Sequence, residues 1–135
     1  MKSAKFPVYL ACSIVLALTS MSAQTGAIRA KIPFDFNTGE QTLRAGDYKV
    51  SIEGRVLHIE RLDGPGFAFV SIYSHGYNKD ASPKLVFHRY GPHSFLAEAW
   101  IAASGHELWT SPREGEFART AKQERTIVIA STLSN

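Results

Sequence analysis

Between residues 28 and 36 every second residue is apolar: Ile28, Ala30, Ile32, Phe34 and Phe36, with Arg29, Lys31, Pro33 and Asp35 between them. A helix turns by about 100° per residue and would scatter these five side chains around its surface, whereas a strand sets them all on one face. The chain must therefore build a sheet with one covered side. Pro33 has no N–H to give to a ladder, which argues for an edge position or a bulge at that point.

The same two-residue rhythm returns along most of the chain. Tyr48, Val50 and Ile52 alternate with Lys49, Ser51 and Glu53; Gly54 and Arg55 make a tight reversal; and Leu57 and Ile59 then oppose His58 and Glu60 in a returning strand over 56–61. Asp63, Gly64, Pro65 and Gly66 break the chain before a fourth strand over 67–73, rich in aromatic and β-branched residues. Residues 74–83 read as a polar loop, the longest of the domain. Residues 84–90 and 94–101 form a hairpin across Gly91, Pro92 and His93. The rhythm changes only after Trp109, where Ser111, Pro112 and Glu114 supply an N-cap, a first-turn proline and a capping-box acid for a helix through Ala121. A β-branched run over 126–130 returns to strand. About seven short strands with one C-terminal helix describe a mainly β fold, a small antiparallel β-sandwich or barrel.

The first 23 residues carry a different message. Lys2 and Lys5 precede an apolar run over 8–18, and Ser20, Met21, Ser22 and Ala23 follow as a cleavage region, the arrangement of a signal peptide. The run is shorter than the roughly 20 residues that cross a bilayer, and no later stretch is apolar enough to span one. Residues 1–23 are thus expected to be removed on export to a periplasmic or extracellular location, leaving residues 24–135 as a single β domain that starts near Gln24. Cys12 follows Ala11 as in a lipid-modified box, but the apolar run continues past it, so it reads as a leader residue, and the mature domain has no disulfide to hold it. Lys2 and Lys5 account for two of the 15 basic residues set against 12 acidic ones, so the net charge of +3 falls to +1 with the leader gone. The remaining charges are interspersed. That excludes nucleic acid as a partner, because backbone neutralisation requires a basic stripe.

Three blocks bear a resemblance: Ile32-Pro33-Phe34-Asp35-Phe36, Thr42-Leu43-Arg44-Ala45-Gly46-Asp47-Tyr48 and Lys84-Leu85-Val86-Phe87-His88-Arg89-Tyr90-Gly91. They are similar to the recurring blocks of a family of small signal-peptide-bearing proteins of soil bacteria, a family with no assigned activity. The similarity spans most of the mature chain, with Arg44 standing where the family pattern usually has proline. The resemblance implies a single exported β domain and carries over no functional residue.

No reactive constellation emerges from spacing. His88, His93, His106 and Glu107 are the one set that could meet at an end of a sandwich, yet nothing in their spacing makes them converge, and no metal or cofactor is expected. Asn78, Asp80 and Ser82 begin like a calcium loop, but Pro83 replaces the turn glycine and Arg89 the bidentate acid. There is no nucleophile elbow, and nothing sets the separation of Glu98, Glu107, Glu114 and Glu116 as an acid pair. No catalytic residue is assigned.

Aromatic residues are the better clue. Phe34, Phe36, Phe67, Phe69, Phe87, Phe95 and Trp100 are expected mostly to fill the core, while Tyr73, Tyr77, Tyr90 and Trp109 lie at strand ends or in loops where rings can stack on a ligand. Tyr77 and Trp109 are the foremost ligand-binding candidates. The expected function is that of an exported, non-catalytic β domain binding an envelope or extracellular glycan or protein. The alternatives are a structural subunit that self-associates through the strand edges at 28–36 or 126–130, a homo-oligomer, and after it a small hydrolase.

Overall fold

In the computed structural model, residues 26–101 and 103–133 are described; the signal-peptide reading of residues 1–23 and Cys12 lie outside them. The elements in chain order are β1 (Ala27–Ile32), β2 (Phe36–Thr38), β3 (Gln41–Leu43), β4 (Gly46–Glu53), β5 (Val56–Arg61), β6 (Phe67–Tyr77), β7 (Lys84–Tyr90), β8 (His93–Ile101), β9 (Ser104–Leu108), α1 (Pro112–Thr120), β10 (Gln123–Ile129) and β11 (Ser131–Thr132). The chain is mainly β with one helix among the described residues. The strands of the described residues number eleven rather than about seven, and they make one open mixed sheet in the order β10-β7-β8-β9-β6-β5-β4-β1-β11, with β2 and β3 as a side branch on β8; it is not a closed barrel. No helix of the described residues is long and apolar enough to cross a membrane.

The alternation at residues 28–36 survives as a burial pattern but not as one strand. Ile28, Ala30, Ile32 and Phe36 are buried and Phe34 is half-buried, with its ring edge-on to Phe87 at 5.0 Å. Pro33 ends β1, and Asp35 fixes the corner that follows by accepting a hydrogen bond from the Ala45 N–H at 2.9 Å. The chain resumes as β2, where buried Asn37 donates to the Ser94 carbonyl at 3.0 Å and accepts from the Thr42 hydroxyl at 2.7 Å, tying β2 to both β8 and β3. At Arg44, the turn is held without a proline: the hydroxyl of fully buried Tyr48 donates to the Arg44 carbonyl at 2.5 Å. Gly54 takes a left-handed conformation (φ 65°) between β4 and β5, which makes the reversal expected there sterically cheap.

One core serves the whole sheet. It joins Ile28, Tyr48, Val50, Leu57 and Val70 from one end of the strand order to Leu85, Phe87, Leu96, Ala99 and Val128 from the other, so the sheet must fold over itself. Two segments carry that folding. The C-terminal segment pairs with β7 through Ile129 and, two residues later, with β1 through Ser131, so a single bent piece of chain spans both ends of the strand order. The other is β6, whose first half pairs with β5 (Phe67 to Ser71) and whose second half pairs with β9 (Ile72 to Tyr77).

Residues 74–83 are therefore not one loop. β6 runs on to Tyr77, and its partner β9, absent from the sequence reading, occupies Ser104–Leu108. The register slips between Ile72 and Ser74, an extra residue that exchanges the faces beyond it. Ser74 then stands opposite exposed Glu107, and His75 opposite buried His106. Gly76 and Gly105 face each other under the indole of Trp100, whose ring atoms lie 2.5 to 2.6 Å from where a Gly105 Cβ would be. Glycine at position 105 is thus what lets Trp100 lie flat across β9.

Helix α1 starts where the sequence placed it. Ser111 accepts from the Glu114 N–H at 3.2 Å and Pro112 opens the first turn. The acid does not complete a capping box: the buried Glu114 carboxylate instead takes a hydrogen bond from the Tyr90 hydroxyl at 3.1 Å and meets His88 Nδ1 at 2.9 Å, which docks the helix onto β7. Tyr90 is accordingly a buried residue and not a loop ring free to stack on a ligand. Burial, with the Glu114 carboxylate beside it, pushes its phenol up to about 12.

Candidate functional site

The side of β6 turned away from the core carries the rings. Ala68, Val70 and Ile72 point into the core, while Phe67 and Phe69 are each 61% exposed, so these two are exceptions to the expectation that most of the seven rings named above fill the core. The physical reason lies in the strand itself. In Phe-Ala-Phe-Val-Ser-Ile-Tyr both faces are largely apolar, so alternation cannot say which is covered, and the smaller, branched set packs better against the opposite layer at this point.

Cross-strand register builds a surface around these rings. Phe67 stands opposite Glu60 and Phe69 opposite His58 on β5; Glu60 and His58 stand in turn opposite Lys49 and Ser51 on β4. The His58 ring is edge-on to Phe69 at 4.6 Å between centroids, and Phe67 and Phe69 are 5.5 Å apart. Lys49, Ser51, His58, Glu60, Phe67 and Phe69 line a groove of about 480 Å³ with the turn at 64–66 as its rim.

That rim is fixed in place. The Arg61 N–H donates to the Gly66 carbonyl at 2.8 Å, the Leu62 N–H to the Asp47 carbonyl at 2.7 Å, and the Arg61 guanidinium to Asp63 at 2.8 Å and to the Ala45 carbonyl at 3.3 Å. The guanidinium holds the Asp63 carboxyl below the usual carboxylate range, and Arg29, hydrogen-bonded to Asp47, does the same there. A groove with two ring faces, a cation, an anion, a hydroxyl and an imidazole on a rigid sheet has what is needed to stack on an apolar ring face and to hydrogen-bond the polar groups around it.

The two foremost candidates do not come together. Trp109 is 59% exposed, its N–H donates to the Ser71 carbonyl, and its ring is edge-on to Tyr73 at 5.1 Å, so it extends the same outer face beyond Phe69. Tyr77, 77% exposed, lies four residues past Tyr73, roughly 13 Å along the strand and beyond the register slip. It stands apart from the groove. Phe67, Phe69 and His58 were missed, and the one signal in the sequence that could have found them is the segregation of rings and aliphatic residues onto opposite faces of β6.

Nor do the remaining polar candidates meet. His88 is engaged with Glu114, His93 stacks on Phe117 at 4.1 Å, Glu107 accepts from the Ser74 hydroxyl at 2.8 Å, and His106 faces His75. Among the described residues no three His, Cys, Asp or Glu side chains converge on a common point. Glu98, Glu107 and Glu114 do share one cleft with His88, but its volume of about 40 Å³ has room for a few waters and none for a sugar ring. The chain finds no match among protein-family models, curated proteins or solved structures.

Proposed function

We propose that this chain is an exported, non-catalytic β domain that binds an envelope or extracellular glycan on the outer face of β4, β5 and β6. The observation that carries the reading is the pair of exposed rings, Phe67 and Phe69, set beside Lys49, Glu60 and Ser51 along a groove with a rigid rim. Apolar rings kept in water at this density add little to the isolated fold and mark a surface that meets something else. A pyranose offers the matching chemistry: C–H faces for the rings and hydroxyls for the charged and polar side chains. Tyr73 and Trp109 extend the platform toward β9 and suit a ligand of several sugar units. Export rests on Lys2, Lys5 and the apolar run over 8–18.

The second reading, self-association through a strand edge, draws on β10. Among the described residues this strand pairs with β7 alone and exposes Ile127 and Ile129, whereas β1 is flanked by β4 and, at Ile28 and Arg29, by β11. A glycan array followed by titration calorimetry tests both readings, with size-exclusion elution recorded across concentrations. Phe67→Ala and Phe69→Ala should each weaken a retained glycan by at least about 1 kcal/mol without changing elution. Absence of any glycan signal together with elution that shifts with concentration would replace the glycan reading with the self-association one.

A further inference from the structure

The register of β6 and β9 sets His75 directly opposite His106, with their Nδ1 atoms 3.0 Å apart and their rings nearly perpendicular at 86°. At that distance one ring donates its Nδ1 proton and the other accepts it, so a single proton occupies the space between two nitrogens. The two side chains differ in setting. His106 is 9% exposed and immobilised among its neighbours, while His75 is open to solvent. Across β8 the residue opposite His106 is Ala99, and Glu107 and Ser74 are hydrogen-bonded to each other on the other side of the strand pair, so no carboxylate competes for either imidazole there.

Bond lengths decide what such a pair can hold. Metal–imidazole nitrogen bonds are about 2.0 to 2.1 Å, which separates two neighbouring ligands by about 2.8 to 3.0 Å at a square-planar centre and by about 3.3 to 3.4 Å at a tetrahedral one. The 3.0 Å of the hydrogen bond found here equals the spacing of neighbouring ligands at any right-angled centre, square-planar or octahedral. Of the divalent first-row ions that take imidazole at such a centre, copper(II) binds most tightly. We propose that His75 and His106 form a two-imidazole copper(II) site at the downstream end of β6. The ion takes both Nδ1 lone pairs; the ring that carried the shared proton gives it to water and takes one from water on its Nε2, so that both ligands are neutral imidazoles, and water molecules complete the coordination. Buried His106 anchors the site on β9, and exposed His75 provides the way in. The inference is independent of the glycan reading, which concerns the other half of β6.

The test uses the full chain carrying Cys12→Ser, so that no thiol competes, titrated with copper(II) chloride in a weakly coordinating buffer. Electron paramagnetic resonance should show one tight equivalent with hyperfine structure from two imidazole nitrogens, and the melting temperature should rise with that equivalent. His75→Ala and the size-matched His75→Gln should each weaken it by at least about tenfold, as loss of one of two protein ligands requires, and remove the thermal shift. His93→Ala should leave both intact. Because His75 is exposed, the variants should melt as wild type does without copper; if either does not, the other is read. Tight copper that persists unchanged in the His75 variants, or none in the parent chain, would overturn the proposal.

Discussion

The upstream half of β6, from Phe67 to Ile72, and the downstream half, from Ser74 to Tyr77, differ in partner, facing and composition although one strand carries both. Upstream, the ladder runs to β5 as far as Ser71 and reaches β9 only at Ile72, alternation is unbroken, and aliphatic residues lie in the core with rings outside. Downstream, the ladder runs to β9, the faces have exchanged, and two glycines make room for Trp100 while two histidines meet. The difference originates in one extra residue between Ile72 and Ser74. A strand of constant period can offer one chemistry per face; a register slip lets it offer two. Just before the slip, between Ser71 and Ile72, β6 leaves the β5 ladder for that of β9, which a sheet wrapped around a single core requires.

The comparison breaks most severely where the upstream half is anchored. Ile72 is buried in the common core immediately before the slip, so Ile72→Ala removes packing that nothing nearby can refill. A loss of about 2 to 5 kcal/mol in denaturant unfolding is expected. Ser71→Ala, one residue away and facing out, should stay within about 0.5 kcal/mol. Comparable losses at the two positions would mean that the faces of β6 are assigned the wrong way round.

The downstream half is sharpened by Gly105→Ala. The added methyl would lie 2.5 to 2.6 Å from Trp100 ring atoms, so the indole must move or β9 must shift. A cost of about 1 to 3 kcal/mol follows from overpacking. In a Trp100→Ala background the same substitution should cost almost nothing, and the double-mutant cycle isolates that coupling from any general loss of strand propensity. A cost that persists without the indole would place the role of glycine in the backbone and not beneath Trp100.

What the sequence disclosed follows the same division. Where polar and apolar residues alternate cleanly, as at Tyr48 to Glu53 or 56–61, strand, facing and turn were all legible, since only one face can be buried. The cap and proline of α1 were legible because they are local chemistry, while the destination of the Glu114 carboxylate was not, because Tyr90 and His88 reach it through the fold. β9 and the end of β6 were lost together. Their sequences, Ser-Gly-His-Glu-Leu and Ser-His-Gly-Tyr, look like loops, and they become strands by pairing with each other, and β9 also with β8, beneath Trp100. The groove failed to appear for the opposite reason: with both faces of β6 apolar, rings suggest core, and nothing local reveals that the opposing layer takes the smaller side chains. The exposure of Trp109 was legible because it follows the strand pattern instead of belonging to it.

The smallest effect tests the most. Phe69 touches the folded protein mainly through ring edges, His58 at 4.6 Å and Phe67 at 5.5 Å, and is otherwise in water. Exposed aromatic pairs of this kind are worth at most about 1 kcal/mol, and removing a solvated ring offsets part of even that. Phe69→Ala should therefore leave the unfolding midpoint almost where it was, well short of Ile72→Ala three residues on, with Phe67→Ala behaving alike. If stability is unchanged and glycan retention falls, the ring acts on a ligand and not on the fold. If Phe69→Ala instead costs as much as Ile72→Ala, the outer face is covered in the protein as it exists in solution, and the partner that covers it is to be sought first in a second copy of the chain.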